Sequence, residues 1–215
     1  MGYGAYTGSS QILLKHDAPS QDRQDEVGKE AQMPEWRKFE FKREKFIELM
    51  LHFSKRGLEE NLIIGSTKLN KLLFFSDFRA YAELGEPITG AKYQKLEWGP
   101  APRALLPVRD ELVQHEEVRF QEQSPDNWND VLEPLREPDL SLFSKDELRI
   151  VDEVFDELRQ FNATATSDYS HLKSAGWRVV DDKEIIPYES AFTLTDPAPP
   201  EAIELGRELA ARYGW

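Results

Sequence analysis

Apolar residues crowd one stretch of this chain from every side. Between Ser66 and Leu84, the positions Leu69, Leu72, Leu73, Phe74, Phe75, Phe78, Tyr81 and Leu84 fall at spacings that cover nearly the whole circumference of a helix. A surface helix carries a single apolar stripe, so a helix that is apolar all round must be enclosed by other elements or cross a membrane. Lys68, Lys71, Asp77, Arg79 and Glu83 interrupt this one, and no run approaches the ~18 uncharged residues that a span needs. The pattern therefore predicts the central helix of a soluble domain. Ser66 or Thr67 is placed to cap its start, and Gly85 to end it.

Weaker periodicities place the other elements around it. From Trp36 to Arg56, Phe39, Phe46, Met50 and Phe53 recur at helical spacing, with Gly57 as a stop. Tyr93 to Trp98 alternates as a short strand does, and the segments 118–123 and 130–135 are further extended candidates. Pro100 and Pro102 suit the mouth of a third helix running towards His115, with a kink at Pro107. Ser144-Lys145-Asp146-Glu147 is a capping box. The helix it opens puts Leu148, Val151, Val154, Phe155 and Leu158 on one face, and Asp146, Asp152, Glu153, Asp156 and Glu157 on the other. Thr164 to Leu172 reads as a shorter helix, with Gly176 as a stop. The expected fold is α+β but mainly α: about six helices around the buried helix 66–84, with one small antiparallel β-sheet or hairpin. Its domain covers 35–195. Residues 1–34, rich in Gly, Ser, Gln and Asp, read as a flexible arm, and Pro197, Pro199 and Pro200 link a C-terminal helix within 196–215 that carries Ile203, Leu205, Leu209 and Tyr213.

Little in the chain signals chemistry. Without cysteine it can hold no disulfide and no thiolate zinc site. The glycine-rich phosphate loops, the nucleophile elbow and the paired-histidine zinc motif are absent. His16, His52, His115 and His171 lie far apart, so neither a metal nor a cofactor is expected, nor an enzyme. His171 alone has a suggestive setting, after Ser170 and before Trp177. It either bonds locally between two helices or does acid–base work with a carboxylate such as Asp168. Lys68, Lys71 and Phe75 share one strip of the central helix. They are either lysines reaching the rim of the core or a basic, aromatic strip facing a partner. Trp98-Gly99-Pro100 is either a Trp closing the core beside a tight turn or a contact site where glycine lets another backbone approach.

Charge narrows the class of partner. The net charge is −13, and it is unevenly spread: residues 110–168 hold 17 acidic against 5 basic side chains, whereas 36–84 hold 7 acidic against 10 basic. Nucleic-acid binding needs several cationic phosphate contacts, so no nucleic-acid partner is expected. The acidic half is either a set of solvated helix faces or a field for a basic partner. The N-terminus lacks the basic and apolar regions of a signal peptide, so the expected location is cytoplasmic, with no membrane contact.

Four segments, in order, carry a resemblance over about residues 45–192. Lys68-Leu69-Asn70-Lys71-Leu72-Leu73-Phe74-Phe75 resembles the helix that opens the Panacea domain of SocA-like antitoxins. Gly99-Pro100 matches that family's Gly-Pro turn. Tyr169-Ser170-His171 with Trp177 is similar to its Ser-His…Trp segment, and Glu184-Ile185-Ile186-Pro187-Tyr188 to its last extended piece. The resemblance implies an antitoxin of a bacterial or phage toxin–antitoxin system that neutralises a cognate toxin protein by direct binding. Partner contacts are then expected at Lys68, Lys71, Phe75, Trp98, Pro100 and His171. The arm or the C-terminal helix could also carry the toxin-specific contact. Two other readings remain at this point: an adaptor delivering a client to a protease, and a small hydrolase using His171.

Overall fold

The computed structural model describes residues 38–121 and 131–193, with positions 204–205, 207–208 and 211–212. The arm at 1–34 lies outside the described residues, as does most of 196–215; the six described positions there are helical and exposed. The elements in chain order are α1 (Arg43–Glu59), α2 (Ser66–Leu84), β1 (Tyr93–Leu96), β2 (Gly99–Pro102), α3 (Leu105–Gln114), β3 (Val118–Gln121), β4 (Val131–Pro134), α4 (Lys145–Leu158), α5 (Ala163–Lys173) and α6 (Ala175–Val179). Two 3-10 turns, Leu140–Leu142 and Tyr188–Phe192, flank the last three helices.

α2 is the centre, as its pattern requires. It packs against α1, α4, α5, β2 and the Tyr188–Phe192 turn, and Leu69, Leu72, Leu73, Phe74, Phe78 and Tyr81 are all buried, whereas Phe75 is half buried and Leu84, at the last position, is exposed. Gly85 ends it in the left-handed region at φ 81°, which a residue without Cβ enters at little cost. Its start differs from expectation: Gly65 occupies the N-cap and no side chain caps it.

α4 forms as its sequence dictates. Ser144 Oγ accepts from the Glu147 N–H at 3.2 Å, and Glu147 Oε2 accepts from the Ser144 N–H at 2.8 Å. The reciprocal bonds satisfy donors that a helix start leaves open. Of the expected apolar face, Val151, Val154, Phe155 and Leu158 are buried, joined by Ile150, while Leu148 is half buried.

The strand candidates do not merge into one sheet. β1 pairs antiparallel with β2, from Tyr93↔Pro102 to Leu96↔Gly99, and β3 pairs antiparallel with β4, from Val118↔Pro134 to Gln121↔Val131. Gly99 to Pro102 is thus a strand, where the sequence suggested the mouth of a helix. Both prolines fit because neither Pro100 nor Pro102 has an N–H to give to a ladder, a lack tolerated on an edge strand. α3 accordingly starts later, at Leu105. Pro107 falls in its first turn, where the missing N–H breaks no intrahelical bond. The segment Lys183–Ile186 lies along the other edge of β1, through Lys95 N–H to Glu184 O at 3.0 Å and Ile186 N–H to Tyr93 O at 2.9 Å. Gly176 does not stop a helix. The break comes at Ser174, whose hydroxyl caps the next short helix by accepting from Trp177 N–H.

Under this layer sits a buried carboxylate. Asp77 of α2 is 0% exposed and accepts from Thr89 N–H (2.7 Å), Thr89 Oγ1–H, Tyr93 OH (2.8 Å) and Tyr188 OH (3.2 Å). Phe78 lies 4.7 Å from the Tyr188 ring, and Phe74 lies 5.4 Å from that of Tyr93. One side chain of the central helix thereby holds a turn, a strand and the closing segment of the domain.

Candidate partner-binding surface

The strip Lys68, Lys71, Phe75 does lie on one side of α2, but that side is covered by α5 and the β1–β2 hairpin. Lys68 is buried, and its ammonium donates to Arg159 O at 2.7 Å and Phe161 O at 2.8 Å, the carbonyls just past α4. A cation there satisfies groups that a helix end leaves open. Burial removes Lys68 from any surface strip. Lys71, 1% exposed, lies under the hairpin. Phe75 is half buried, its ring 5.4 Å from that of Tyr169 on α5. On its outer side it lines a cavity of about 230 Å³ with Phe74, Phe78, Arg79, Lys173 and Ala175.

The hairpin tip is braced from α5 and α6. Ser167 Oγ donates to Trp98 O at 3.0 Å, and Trp177 Nε1–H to Leu96 O at 2.9 Å. Gly99 follows at φ 99° and is buried so closely that an added Cβ would collide with Ser170 Oγ and stand 2.9 Å from Lys71 Cε and 3.1 Å from Lys71 Nζ. Only glycine satisfies both the angle and the approach. Pro100, next in β2, is buried with it. The Trp98 side chain points the other way and is 64% exposed. It therefore does not close the core. Leu172 on α5 and Val179 on α6 are also exposed apolar side chains on elements that meet at the hairpin.

His171 is half buried, stacked flat on Trp177 with ring centroids 3.9 Å apart. Its Nε2 is enclosed and has no hydrogen-bond partner among the described residues. Burial, and then the Lys71 charge, hold its pKa below 6.5, against the opposing pull of Asp168 and of a backbone hydrogen bond to Glu97. Among the described residues no carboxylate hydrogen-bonds this ring, so the acid–base pair that the hydrolase reading needs is not assembled. Nor does any group of three His, Asp or Glu among them offer a metal site. No described helix is long and apolar enough to cross a membrane.

Of the six residues that sequence pointed to, Trp98 is exposed, Phe75 and His171 are half buried, and Lys68, Lys71 and Pro100 are inside. The acidic face of α4 is also altered by its surroundings. Arg56 bonds Asp152 and Asp156, both at 2.8 Å, Arg149 bonds Glu153 at 2.9 Å, and Arg79 bonds Glu157 at 2.5 Å. Four of the α4 carboxylates are thus paired with arginines within the fold. Sequence reasoning missed Ser167, Ser170 and Asp77, all buried polar groups. Of these, Ser170 was legible only as part of the Ser-His…Trp segment, and Asp77 as a charge in the middle of an apolar helix.

Lys71 carries a pH dependence. Burial brings its pKa from 10.5 down to about 7. The unfolded chain then binds more protons than the folded one between those values, so stability must rise with pH through that window. Replacing Lys71 with Met removes the term. At about 1.4 kcal/mol per pH unit, the stability advantage of Lys71→Met over the wild type should shrink by roughly 3 kcal/mol between pH 7 and 9.5, as read by urea denaturation.

The four segments noted in the sequence thus converge. α2 lies under Gly99-Pro100, Ser170 abuts Gly99, His171 stacks on Trp177, and the 184–188 segment runs along β1. A model of the antitoxin SocA-like Panacea domain matches residues 69–178, from the first turn of α2 to α6. Lys68 and the 184–188 segment lie outside that match. Comparison with curated proteins and with solved structures gave no match. With half its length covered by the family's model, and that half holding the central helix and the hairpin braced on it, the chain belongs to the SocA-like, Panacea-domain antitoxin family.

Proposed function

We propose that this protein is a cytoplasmic antitoxin that neutralises a cognate toxin by direct contact, acting by binding and not by catalysis. The anchor in this reading is Trp98. A tryptophan largely exposed at the tip of a hairpin is the kind of side chain that dominates interface energetics. Here its backbone is held by Ser167 and its neighbour Gly99 is locked over α2. A braced anchor loses little conformational freedom on binding. Leu172, Val179 and the half-buried Phe75 and His171 would extend the contact, with Lys71 and Pro100 supporting the hairpin from beneath. Because the α4 carboxylates are paired internally, the complex is expected to depend only weakly on salt.

The test is co-expression with the product of the adjacent gene. That product should be toxic alone, rescued by this protein and co-purified with it. If it is harmless alone and does not co-purify, the reading fails. Trp98→Ala should weaken the complex 30-fold or more, at roughly 2 kcal/mol for a hot-spot residue. The loss should appear mainly as faster dissociation. Since the side chain is exposed, the melting temperature should not move. Normal binding by a folded Trp98→Ala protein would place the anchor elsewhere.

A further inference from the structure

Among the described residues, two nitrogen groups beside one turn have no hydrogen-bond partner. Lys71 is 1% exposed, and among the described residues no hydrogen bond or ion pair engages its ammonium, whereas Lys68 one turn earlier has two carbonyl acceptors. His171 Nε2 is enclosed and equally without a partner. A methionine would fill the place of Lys71 without the cost of burying a charge that nothing balances. Both residues belong to the Gly99 turn: Lys71 lies directly beneath it, and His171 follows Ser170, which abuts it. The other polar groups nearby are accounted for. Ser170 Oγ donates to Ser167 O at 2.7 Å, and Lys95 Nζ donates to Val180 O at 2.9 Å while lying over the Trp177 ring. Asp168 acts on His171 through its charge, but it is exposed on α5 and bonds neither nitrogen.

We propose that Lys71 and His171 together form a receptor for one carboxylate, seated beside the Trp98–Gly99 turn. A carboxylate has two acceptor oxygens, and a charge-assisted bond to each nitrogen would satisfy the two groups that the free fold leaves open. Because His171 Nε2 is enclosed while the rest of the ring is half exposed, a carboxylate reaches it only as the ring turns outward. Binding draws a proton onto the imidazole, because the new negative charge offsets the burial and the Lys71 charge that now oppose it. The carboxylate can be a free small acid or an acidic side chain of a bound protein.

Sodium acetate is the probe for the free source, against sodium chloride at matched ionic strength, with the full chain and no partner present. The His171 Cε1–H and Lys71 Nζ resonances should shift saturably with one shared dissociation constant, and the His171 pKa should rise. Lys71→Met should abolish the His171 response. Equal responses to acetate and chloride overturn the site, as do separate dissociation constants for the two residues. So does an acetate response that survives in Lys71→Met. If Lys71→Met fails to fold, the paired resonances of the wild-type chain still decide. For the protein source, Lys71→Met and His171→Gln are tested in the co-purification assay. A tenfold or greater loss of retained partner assigns the carboxylate to the partner, and unchanged retention with an intact acetate response assigns it to a free acid. The acetate experiment needs no toxin, so the receptor and the toxin-binding reading fail independently.

Discussion

Leu72→Asp should leave the chain without a cooperative unfolding transition at 25 °C. Leu72 is 0% exposed at the middle of α2, where α1, α4, α5, β2 and the Tyr188–Phe192 turn all pack. Losing a buried leucine costs about 2–5 kcal/mol through transfer and cavity effects. An unpaired carboxylate in its place adds several kcal/mol, whether it stays charged or binds a proton to become neutral. The sum is comparable with the whole stability of an ordinary domain, about 5–15 kcal/mol. Circular dichroism against temperature and urea decides the matter. A soluble Leu72→Asp protein with a sharp transition would mean that α2 is not the centre of the fold.

Asp77→Ala should be the next most damaging change, at about 4 kcal/mol. The fully buried carboxylate accepts four hydrogen bonds, from Thr89, Tyr93 and Tyr188. Truncation strands these donors inside an aromatic cluster, and an unsatisfied buried donor costs about 1–3 kcal/mol. The effect should also depend on pH. Burial, the largest influence, raises the Asp77 pKa above 3.8 while the four bonds pull it back. The folded protein therefore binds more protons than the unfolded chain between pH 3.8 and the raised value. The stability that Asp77 contributes is greatest at and below that pH and declines as pH rises through the raised value. The gap between the wild type and Asp77→Ala should be widest near pH 4 and narrow towards neutrality. Hydrogen exchange should report the loss first at Tyr93 and in the 184–192 segment, which the Tyr93 and Tyr188 hydroxyls tie to α2. A variant with unchanged stability and unchanged exchange there would show that the network does not hold those segments.

What was legible in the sequence was local or periodic. The all-round apolar pattern of Leu69 to Tyr81 requires enclosure because no surface could present it, and the structure encloses it. The Ser144–Glu147 box needs only residues within one turn of each other, so it forms as written. Gly85 stops α2 through its own backbone freedom, which again involves no distant residue. The order of the family's segments was also legible, since order is a property of the chain itself.

What only the tertiary structure decided was non-local. Spacing placed Lys68, Lys71 and Phe75 on one side of α2 but could not say what covers that side. Once α5 and the hairpin pack there, two cations become interior groups, one bonded to Arg159 and Phe161 carbonyls and one without a hydrogen-bond partner among the described residues. Gly99-Pro100 permits either a turn before a helix or a strand, and the choice falls to β1, a pairing partner whose edge α2 and the 183–186 segment position. Trp98 is chemically suited to a core, yet the left-handed Gly99 beside it turns the backbone inward and leaves the indole outside. Asp77 looked like an interruption because its four donors come from residues 12 to 111 positions away. A side chain's periodicity tells which neighbours it shares a face with. Whether that face is buried, and which charges on it find partners, is set by the packing of segments far apart in the chain.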